Sequence, residues 1–258
     1  MPYVGDNVVI DVDKNKHGII KEVVTRKNFL IRPAVANVDQ LVLIVSTYCP
    51  KPNFFNIDVL ISIAELLNLE VIIIVTKVDL KNDKDIFNVY SKIGYKVFEI
   101  NNMNLNDFER YEILKYLKNK INVLCGNSGV GKTSFINAFN RALNLKTCET
   151  SYKLGRGKHA TRNVEMVDIG DCYIVDTPGF SSIKINLYKN IVDVKIDTLF
   201  KEFAKYAGKC KFDDCKHVLE TGCKIIEAKS DGEIANSRYN SYVKMLNEVD
   251  DLKRAFWR

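Results

Sequence analysis

The sequence lacks any apolar run long enough to cross a bilayer. Its longest runs, Leu41 to Val45 and Val71 to Val75, fall far short of the roughly 20 apolar residues that a spanning helix needs. The first residues also lack a basic stretch followed by an apolar core, which is the pattern of a secretory signal. We therefore expect a cytoplasmic protein with no membrane partner.

The sequence also has a small net charge, and it does not contain an even number of cysteines. It holds 38 Lys and Arg against 32 Asp and Glu, and the formal net charge of +6 is compatible with a polyanionic partner without requiring one. The seven cysteines are an odd number. In a chain without an export signal they argue against a disulfide framework and for thiols or metal ligands.

Apolar runs alternate with helical patterns through the middle of the chain. The pattern predicts strands at Leu41 to Thr47, Val71 to Lys77, Lys96 to Ile100 and Ile121 to Cys125, with helices at Phe54 to Leu67, Asp83 to Ile93, Asp107 to Lys118 and from Lys132 onward. Such alternation indicates an α/β fold with a parallel sheet covered on both faces. Val164 to Ile169 and Cys172 to Thr177 then predict a hairpin at the sheet edge.

The two ends of the chain differ in composition from this middle part. Three short β-rich runs in the first 32 residues indicate a small β unit, and Pro33 to Gln40 reads as a linker because it lacks periodicity. After Asn190 the composition becomes helical and contains cysteines. We therefore predict three domains, at residues 1–36, 37–190 and 191–258.

One segment fits the P-loop pattern and lies between an apolar strand and a helix, as its mechanism requires. In such a loop, backbone N–H groups bind phosphates at a helix N-terminus. Lys132 would reach the β and γ oxygens, and the Thr133 hydroxyl would bind Mg²⁺. The predicted nucleotide-binding residues here are Gly126, Asn127, Ser128, Gly129, Val130, Gly131, Lys132, Thr133 and Ser134.

Two further tetrapeptides follow predicted strands. In Asp176-Thr177-Pro178-Gly179, Asp176 can hold Mg²⁺ through water and the Gly179 N–H can contact the γ-phosphate. In Thr76-Lys77-Val78-Asp79, the carboxylate can accept two hydrogen bonds that guanine offers and adenine does not. Each tetrapeptide alone is also typical of an ordinary strand end or turn. Because both occur in a chain that also contains a P-loop, the nucleotide-binding interpretation is favoured. The residues concerned are Thr76, Lys77, Asp79, Asp176 and Gly179.

Three thiols and one imidazole lie close together near the C-terminus. They are Cys210, Cys215, His217 and Cys223. Three sulfurs and a nitrogen suit tetrahedral Zn²⁺, and four protein ligands leave no open position for catalysis. We therefore predict one structural zinc ion. Buried free cysteines are the alternative, because the spacing departs from paired C-x2-C signatures.

A segment between the P-loop helix and Asp176 lies where GTPases carry a phosphate-sensing switch. Within Ser151 to Asn163, Thr161 is the candidate to bind Mg²⁺ when the γ-phosphate is present. The segment holds four basic and no acidic residues, so it can also contact RNA phosphates. A solvated loop is the alternative interpretation.

The order of these motifs is circularly permuted, because Thr76 to Asp79 precedes the P-loop and Asp176 to Gly179 comes last. With Val4-Gly5-Asp6, Arg26-Lys27-Asn28, Arg32-Pro33 and Val35 to Gln40, this order resembles the ribosome small-subunit-dependent GTPase A (RsgA-type) family. The resemblance covers essentially the whole chain. Thr76 stands where the family usually has Asn, and from the resemblance we expect the N-terminal residues to correspond to only about half of the family's OB barrel.

The resemblance implies a GTP hydrolase that binds the small ribosomal subunit and its rRNA and assists its late maturation. It implies a partial OB-like β unit, Mg²⁺ with GTP or GDP, a C-terminal zinc domain and His159 as the catalytic group that positions water, beside Lys132 on the phosphates. Phe180 occupies a position where many GTPases carry a water-orienting glutamine. We expect a monomer. The alternatives are an ATP-dependent P-loop enzyme and an RNA-binding protein that uses nucleotide only as a structural ligand.

Overall fold

The structure is a computed structural model that describes residues 1–14, 17–101, 104–143, 164–176 and 185–256. The chain forms two compact units. One comprises residues 1–52, 69–87 and 96–181, and the other comprises residues 53–68, 88–95 and 182–258. No helix in the described part of the chain is both long and apolar enough to span a membrane.

The described strands are β1 (Val8–Val12), β2 (Gly18–Val23), β3 (Phe29–Leu30), β4 (Val35–Ala36), β5 (Gln40–Ser46), β6 (Glu70–Thr76), β7 (Lys96–Ile100), β8 (Ile121–Cys125), β9 (Glu165–Asp168) and β10 (Tyr173–Asp176). The described α-helices are α1 (Phe54–Leu66), α2 (Asp85–Ile93), α3 (Asp107–Leu117), α4 (Lys132–Leu143), α5 (Lys224–Ser230) and α6 (Asn236–Phe256). Short 3₁₀ helices lie at Ile185–Leu187, Lys189–Asp193, Ile196–Leu199 and Lys201–Tyr206.

The first unit is organised by a six-stranded sheet with the order β7-β6-β5-β8-β10-β9. Its first five strands in that order are parallel, and β9 pairs antiparallel with β10 at the edge. A helix connects β5 to β6, β6 to β7 and β7 to β8, which is the connection that parallel strands need, whereas only a short turn separates the antiparallel pair β9 and β10. The predicted α/β fold with an edge hairpin is therefore confirmed.

Alternate residues of the central strands form the core on one face of this sheet. Val42 and Ile44 of β5 and Ile72 and Ile74 of β6 are buried. They share one apolar cluster with side chains from α3 and α4, including Ile113, Leu117, Phe135, Ile136 and Phe139. The intervening residues of the same strands are also buried. This two-sided burial explains why these strands are continuous apolar runs rather than alternating ones.

The parallel register brings the carboxyl ends of β5, β6, β8 and β10 to one edge of the sheet. Ser46 of β5 pairs with Thr76 of β6, and Leu43 of β5 pairs with Cys125 of β8. Ligands of open α/β sheets bind outside the carboxyl ends of the strands. Three of these strands end at Thr76, Cys125 and Asp176, next to residues to which the sequence assigned nucleotide binding, so the topology gathers these strand ends at one edge.

The N-terminal part of the first unit contains two small antiparallel pairs, β1 with β2 and β3 with β4. The prediction of a linker at Pro33 to Gln40 is wrong, because β4 lies there and Val35, Ala36 and Val38 are completely buried. Asn37 lets the chain turn, with φ of 55°. Its side chain accepts from the Lys27 N–H and donates to the Gly5 carbonyl, both at 2.9 Å. These two hydrogen bonds pair backbone groups at this turn with the Asn37 side chain, as buried polar groups require.

The second unit is built around a buried group of charges in which α1 packs against α6. The Arg238 guanidinium on α6 donates to Asp58 Oδ1 at 2.7 Å and to both carboxylate oxygens of Glu202 at 2.7 and 3.0 Å. Arg238 and Asp58 are completely buried. Burial raises the pKa of Asp58, and the charge of Arg238 opposes that rise. A buried charge is tolerated only when it is paired, so these contacts fix how α6 packs within this unit.

Candidate nucleotide and metal sites

The loop between β8 and α4 has the backbone of a phosphate-binding loop. Gly126, Gly129 and Gly131 all have positive φ, at 147°, 79° and 101°. A Cβ atom at Gly126 would lie 2.2 Å from the Ile44 carbonyl oxygen of β5 and 3.1 Å from Val130 Cγ2. Glycine is therefore required at position 126 both by the backbone angle and by the close approach of β5.

Lys132, the first residue of α4, folds back over this loop. Its Nζ donates to the carbonyl oxygens of Gly126 at 2.7 Å and of Asn127 at 3.0 Å. Partial burial lowers the pKa of Lys132, and the negative charge of Asp176 at the end of β10 opposes this shift. A partly desolvated ammonium that donates to neutral carbonyls gains strongly from a phosphate, because the phosphate oxygens add the attraction of opposite charges to the hydrogen bond.

Most of the remaining residues of the predicted P-loop are accessible to a ligand. Ser128, Gly129, Thr133 and Ser134 are exposed, and Asn127 is half-buried. Val130 is buried in the core beneath the loop. Thr133 and Ser134 lie in the first turn of α4, where backbone N–H groups lack partners within the helix. The arrangement can bind an anion at the positive end of α4.

The segment from Thr76 to Asp79 lies beside this loop and contacts it directly. The Lys77 Nζ donates to the Gly129 carbonyl at 2.8 Å and also to the Cys49 carbonyl. The Thr76 hydroxyl donates to the Val130 carbonyl at 2.6 Å. Asp79 is exposed. Two consecutive residues thus hold two consecutive carbonyls of the P-loop, while the carboxylate two residues further on remains accessible to a base.

Thr47 is a residue that sequence reasoning missed at this edge. It follows β5 and is 1% exposed, and its hydroxyl donates to the Lys77 carbonyl at 2.8 Å. Its N–H donates to the Thr76 carbonyl at 3.1 Å. The sequence carries no motif around Thr47, and only the parallel pairing of β5 with β6 brings it against the segment from Thr76 to Asp79.

The second unit brings Cys210, Cys215, His217 and Cys223 together, and their ligand atoms all lie within 4.8 Å of one another. His217 Nδ1 lies 3.5 Å from Cys210 Sγ and 3.3 Å from Cys223 Sγ, and these two sulfurs are 3.9 Å apart. A tetrahedral zinc ion with zinc–sulfur bonds of about 2.3 Å separates its sulfurs by about 3.8 Å. The donor set and its spacing are therefore compatible with one zinc ion.

Two carboxylates support this cluster. Asp197 Oδ2 lies 3.7 Å from His217 Nε2, on the ring nitrogen that does not face the thiols. A carboxylate at this position orients the ring of a ligand histidine. Slight burial opposes ionisation of Glu220, but backbone N–H donors at Lys216, Val218 and Leu219 outweigh it and lower the pKa of Glu220 to about 2. Sequence reasoning did not find Asp197, because it lies outside the Cys/His cluster in the chain.

Three of the predicted site residues, His159, Thr161 and Gly179, lie outside the described residues, as do Thr177, Pro178 and Phe180. Asp176 is half-buried at the end of β10 and acts electrostatically on Lys132. The roles assigned to these residues from the sequence stay predictions.

Comparison with known proteins identifies the class. Two solved structures match nearly the whole chain. One is YloQ, described as a circularly permuted GTPase, with a TM-score of 0.74 and 30% identity over 97% of this chain and 82% of that one. The other is YjeQ from Thermotoga maritima, with a TM-score of 0.72 and 35% identity over 96% of this chain and 84% of that one. The fold is thus that of the circularly permuted GTPases.

The family follows from sequence comparison. The RsgA GTPase family model matches residues 23–186. A protein of Caldanaerobacter subterraneus named small ribosomal subunit biogenesis GTPase RsgA is 39% identical over 98% of this chain and 85% of its own length. The protein of that name from Thermotoga maritima is 40% identical over 96% of this chain and 83% of its own length. The chain belongs to the RsgA GTPase family and is a GTP hydrolase, which confirms the family and the activity predicted from its motifs.

Gly126→Ala tests the geometry of the phosphate loop. Because the added methyl group meets the backbone of β5, the loop must shift, and overpacking of this kind costs about 1–3 kcal/mol. We expect GDP affinity, measured by titration calorimetry, to fall on the order of 10- to 100-fold. Gly129→Ala is the matched control, since its methyl group would lie 3.8 Å from Pro50 Cδ and only the backbone angle resists it. Equal, small losses in both variants would contradict this account of Gly126.

Proposed function

We propose that this GTPase binds the small ribosomal subunit through its rRNA, assists the late maturation of that subunit and leaves after GTP hydrolysis. The observation that carries the proposal is the contact of Thr76 and Lys77 with the carbonyls of Val130 and Gly129, in a chain of the RsgA family. This contact joins the segment to which the sequence assigns base recognition to the predicted phosphate loop, and it supports nucleotide binding by the two together. The names of the relatives, which refer to biogenesis of the small subunit, support the choice of partner.

Within this proposal each site residue has a separate task. The loop from Gly126 to Ser134 binds the phosphates, with Lys132 on the β and γ oxygens. Asp79 accepts two hydrogen bonds from guanine, which excludes adenine. Thr133 and Thr161 would hold the magnesium ion, and Asp176 would hold it through water. The ion would neutralise the charge that develops on the phosphates.

Water activation is assigned to His159. An imidazole with a reference pKa near 6.5 is largely neutral at pH 7, so it can orient water or accept its proton. Phe180 cannot take this task, because an aromatic hydrocarbon ring offers no hydrogen-bonding group. The assignment rests on the resemblance and on the position of His159 in the predicted switch. A histidine that contacts RNA is the alternative.

Turnover of GTP with and without purified small subunits tests the proposed function. We expect small subunits to accelerate hydrolysis by at least about tenfold, equivalent to about 1.4 kcal/mol of barrier. Large subunits and ATP are the controls, and neither should reproduce the effect. Equal rates with and without small subunits would contradict the subunit dependence. Hydrolysis of ATP at the GTP rate would favour an ATP-dependent enzyme, and no turnover at all would favour an RNA-binding protein with structural nucleotide.

We further propose that Cys210, Cys215, His217 and Cys223 hold one structural zinc ion, with the chain as a monomer. Zinc binding would stabilise the segment that contains these ligands, because structural zinc sites contribute roughly 10–16 kcal/mol at neutral pH. The four protein ligands would fill all coordination positions of the ion, so no position would remain for water or substrate. We therefore assign the ion no part in hydrolysis.

Cys215→Ala tests the zinc assignment. We expect the zinc content, measured by elemental mass spectrometry, to fall from about one ion per chain to almost none. Hydrogen exchange over residues 210–223 should accelerate, since the loop loses the ion that fixes it. Cys49→Ala is the matched control, because this exposed thiol lies outside the cluster. Wild-type protein that contains no zinc while this segment stays protected would refute the assignment.

A further inference from the structure

Two threonine hydroxyls connect the base-recognition segment to its surroundings. Thr47 directly follows β5 and is 1% exposed, and Thr76 is the last residue of the neighbouring strand β6 and is 0% exposed. Each hydroxyl donates to a backbone carbonyl of a different segment. A buried hydroxyl that has a partner is costly to remove, because its partner is then left without a hydrogen bond.

The Thr76 hydroxyl is committed to the phosphate loop. It lies 2.6 Å from the Val130 carbonyl oxygen and 3.3 Å from the Val45 carbonyl oxygen. A hydroxyl has one proton to donate, and the shorter contact identifies Val130 as the main acceptor. With no exposed surface, Thr76 cannot contact a nucleotide directly in this arrangement. Its predicted nucleotide-binding role is therefore better described as holding the end of β6 against the P-loop.

The Thr47 hydroxyl stabilises the turn that carries Lys77. Lys77 has φ of 60°, a left-handed backbone angle that is uncommon for residues other than glycine. Thr47 donates to the carbonyl of Lys77 itself at 2.8 Å. With the turn held in this way, Lys77 directs its Nζ to the Gly129 carbonyl at 2.8 Å. Strained backbone angles persist where the surroundings hold them, and Thr47 supplies one such contact.

We propose that Thr47 and Thr76 are positioning residues that set the separation between Asp79 and the phosphate loop, and thereby the affinity for a guanine nucleotide. A nucleotide satisfies Asp79 and the loop together only when that separation matches its own length. A site held in this geometry before binding does not have to be ordered by the ligand. The proposal rests on the proposed role of Asp79 in guanine binding.

Four variants isolate the contribution of the hydroxyls. Thr76→Val and Thr47→Val keep the branched shape and remove the donor, whereas Thr76→Ser and Thr47→Ser keep the donor. Ser62→Ala is the matched control, because Ser62 is buried and its hydroxyl has no hydrogen-bond partner among the described residues. The measurements are the GDP dissociation constant and the displacement of a fluorescent GDP by inorganic tripolyphosphate, with the melting temperature of each variant as a check on folding.

Each valine variant should bind GDP on the order of tenfold more weakly, because the ligand then has to order a site that the hydroxyl no longer holds in place. Tripolyphosphate would contact only the loop. Its affinity, measured by displacement of the fluorescent GDP, should therefore stay within about twofold of the wild-type value. The serine variants and Ser62→Ala should bind GDP as the wild type does. This pattern would show that each hydroxyl sets the separation between Asp79 and the phosphate loop. A general loss of stability would weaken the binding of tripolyphosphate as well.

Three results would overturn the proposal. They are unchanged GDP affinity in the valine variants, equal loss in the valine and serine variants, and a loss of tripolyphosphate affinity as large as that of GDP. A separate variant tests the guanine role itself: Asp79→Asn should shift preference from guanosine to xanthosine nucleotides, because the new amide can donate to the 2-oxo group of xanthine. If that shift occurs and the valine variants bind normally, only the positioning role fails. If it does not occur, the guanine role of Asp79 fails.

Discussion

The convergence of parallel strand ends is the constraint on which the nucleotide site depends. β5, β6, β8 and β10 run in one direction, so their carboxyl ends meet at one edge of the sheet. Their order along the chain has no influence on this meeting, because the order of strands in the sheet determines which segments become neighbours. A permuted chain can therefore assemble a GTPase site with the base-recognition segment before the phosphate loop.

β5 separates the two halves of the site and contacts both. Its Ile44 carbonyl lies so close to Gly126 that no side chain fits there, and Thr47 just after it bonds to the backbone of Lys77. Across the end of β5, Thr76 and Lys77 reach the carbonyls of Val130 and Gly129. One central strand thus constrains the shape of the phosphate loop and contacts the segment to which the sequence assigns guanine recognition.

The fold could be predicted where the sequence pattern is strongly periodic. β7 and β8 begin and end at the predicted residues, and β9 and β10 form the predicted edge hairpin. The prediction failed at Val35 to Ala36, because the burial of this short strand depends on bonds from Asn37 to Lys27 and Gly5 that no periodicity reveals. Helix ends also differ: a helix was predicted from Asp83 to Ile93, and α2 spans Asp85–Ile93.

The candidate site could be predicted where a motif is contiguous in the chain. The P-loop and the Cys/His cluster are such motifs, and the structure brings each set of described residues together. Thr47 and Asp197 could not be found in this way. Each acts through one contact with a residue far along the chain, at Lys77 or His217. Such contacts are set by strand register and helix packing, and single residues of common types carry no sequence signal for them.

A structure of the chain with bound GDP and Mg²⁺ tests the central claim most directly. The account predicts the guanine ring within hydrogen-bonding distance of the Asp79 carboxylate and the β-phosphate in the loop that begins at Gly126. Lys132 Nζ should leave the carbonyls of Gly126 and Asn127 for the phosphate, while the Thr76 hydroxyl stays on the Val130 carbonyl. A guanine base bound away from Asp79, with its phosphates outside this loop, would contradict the account.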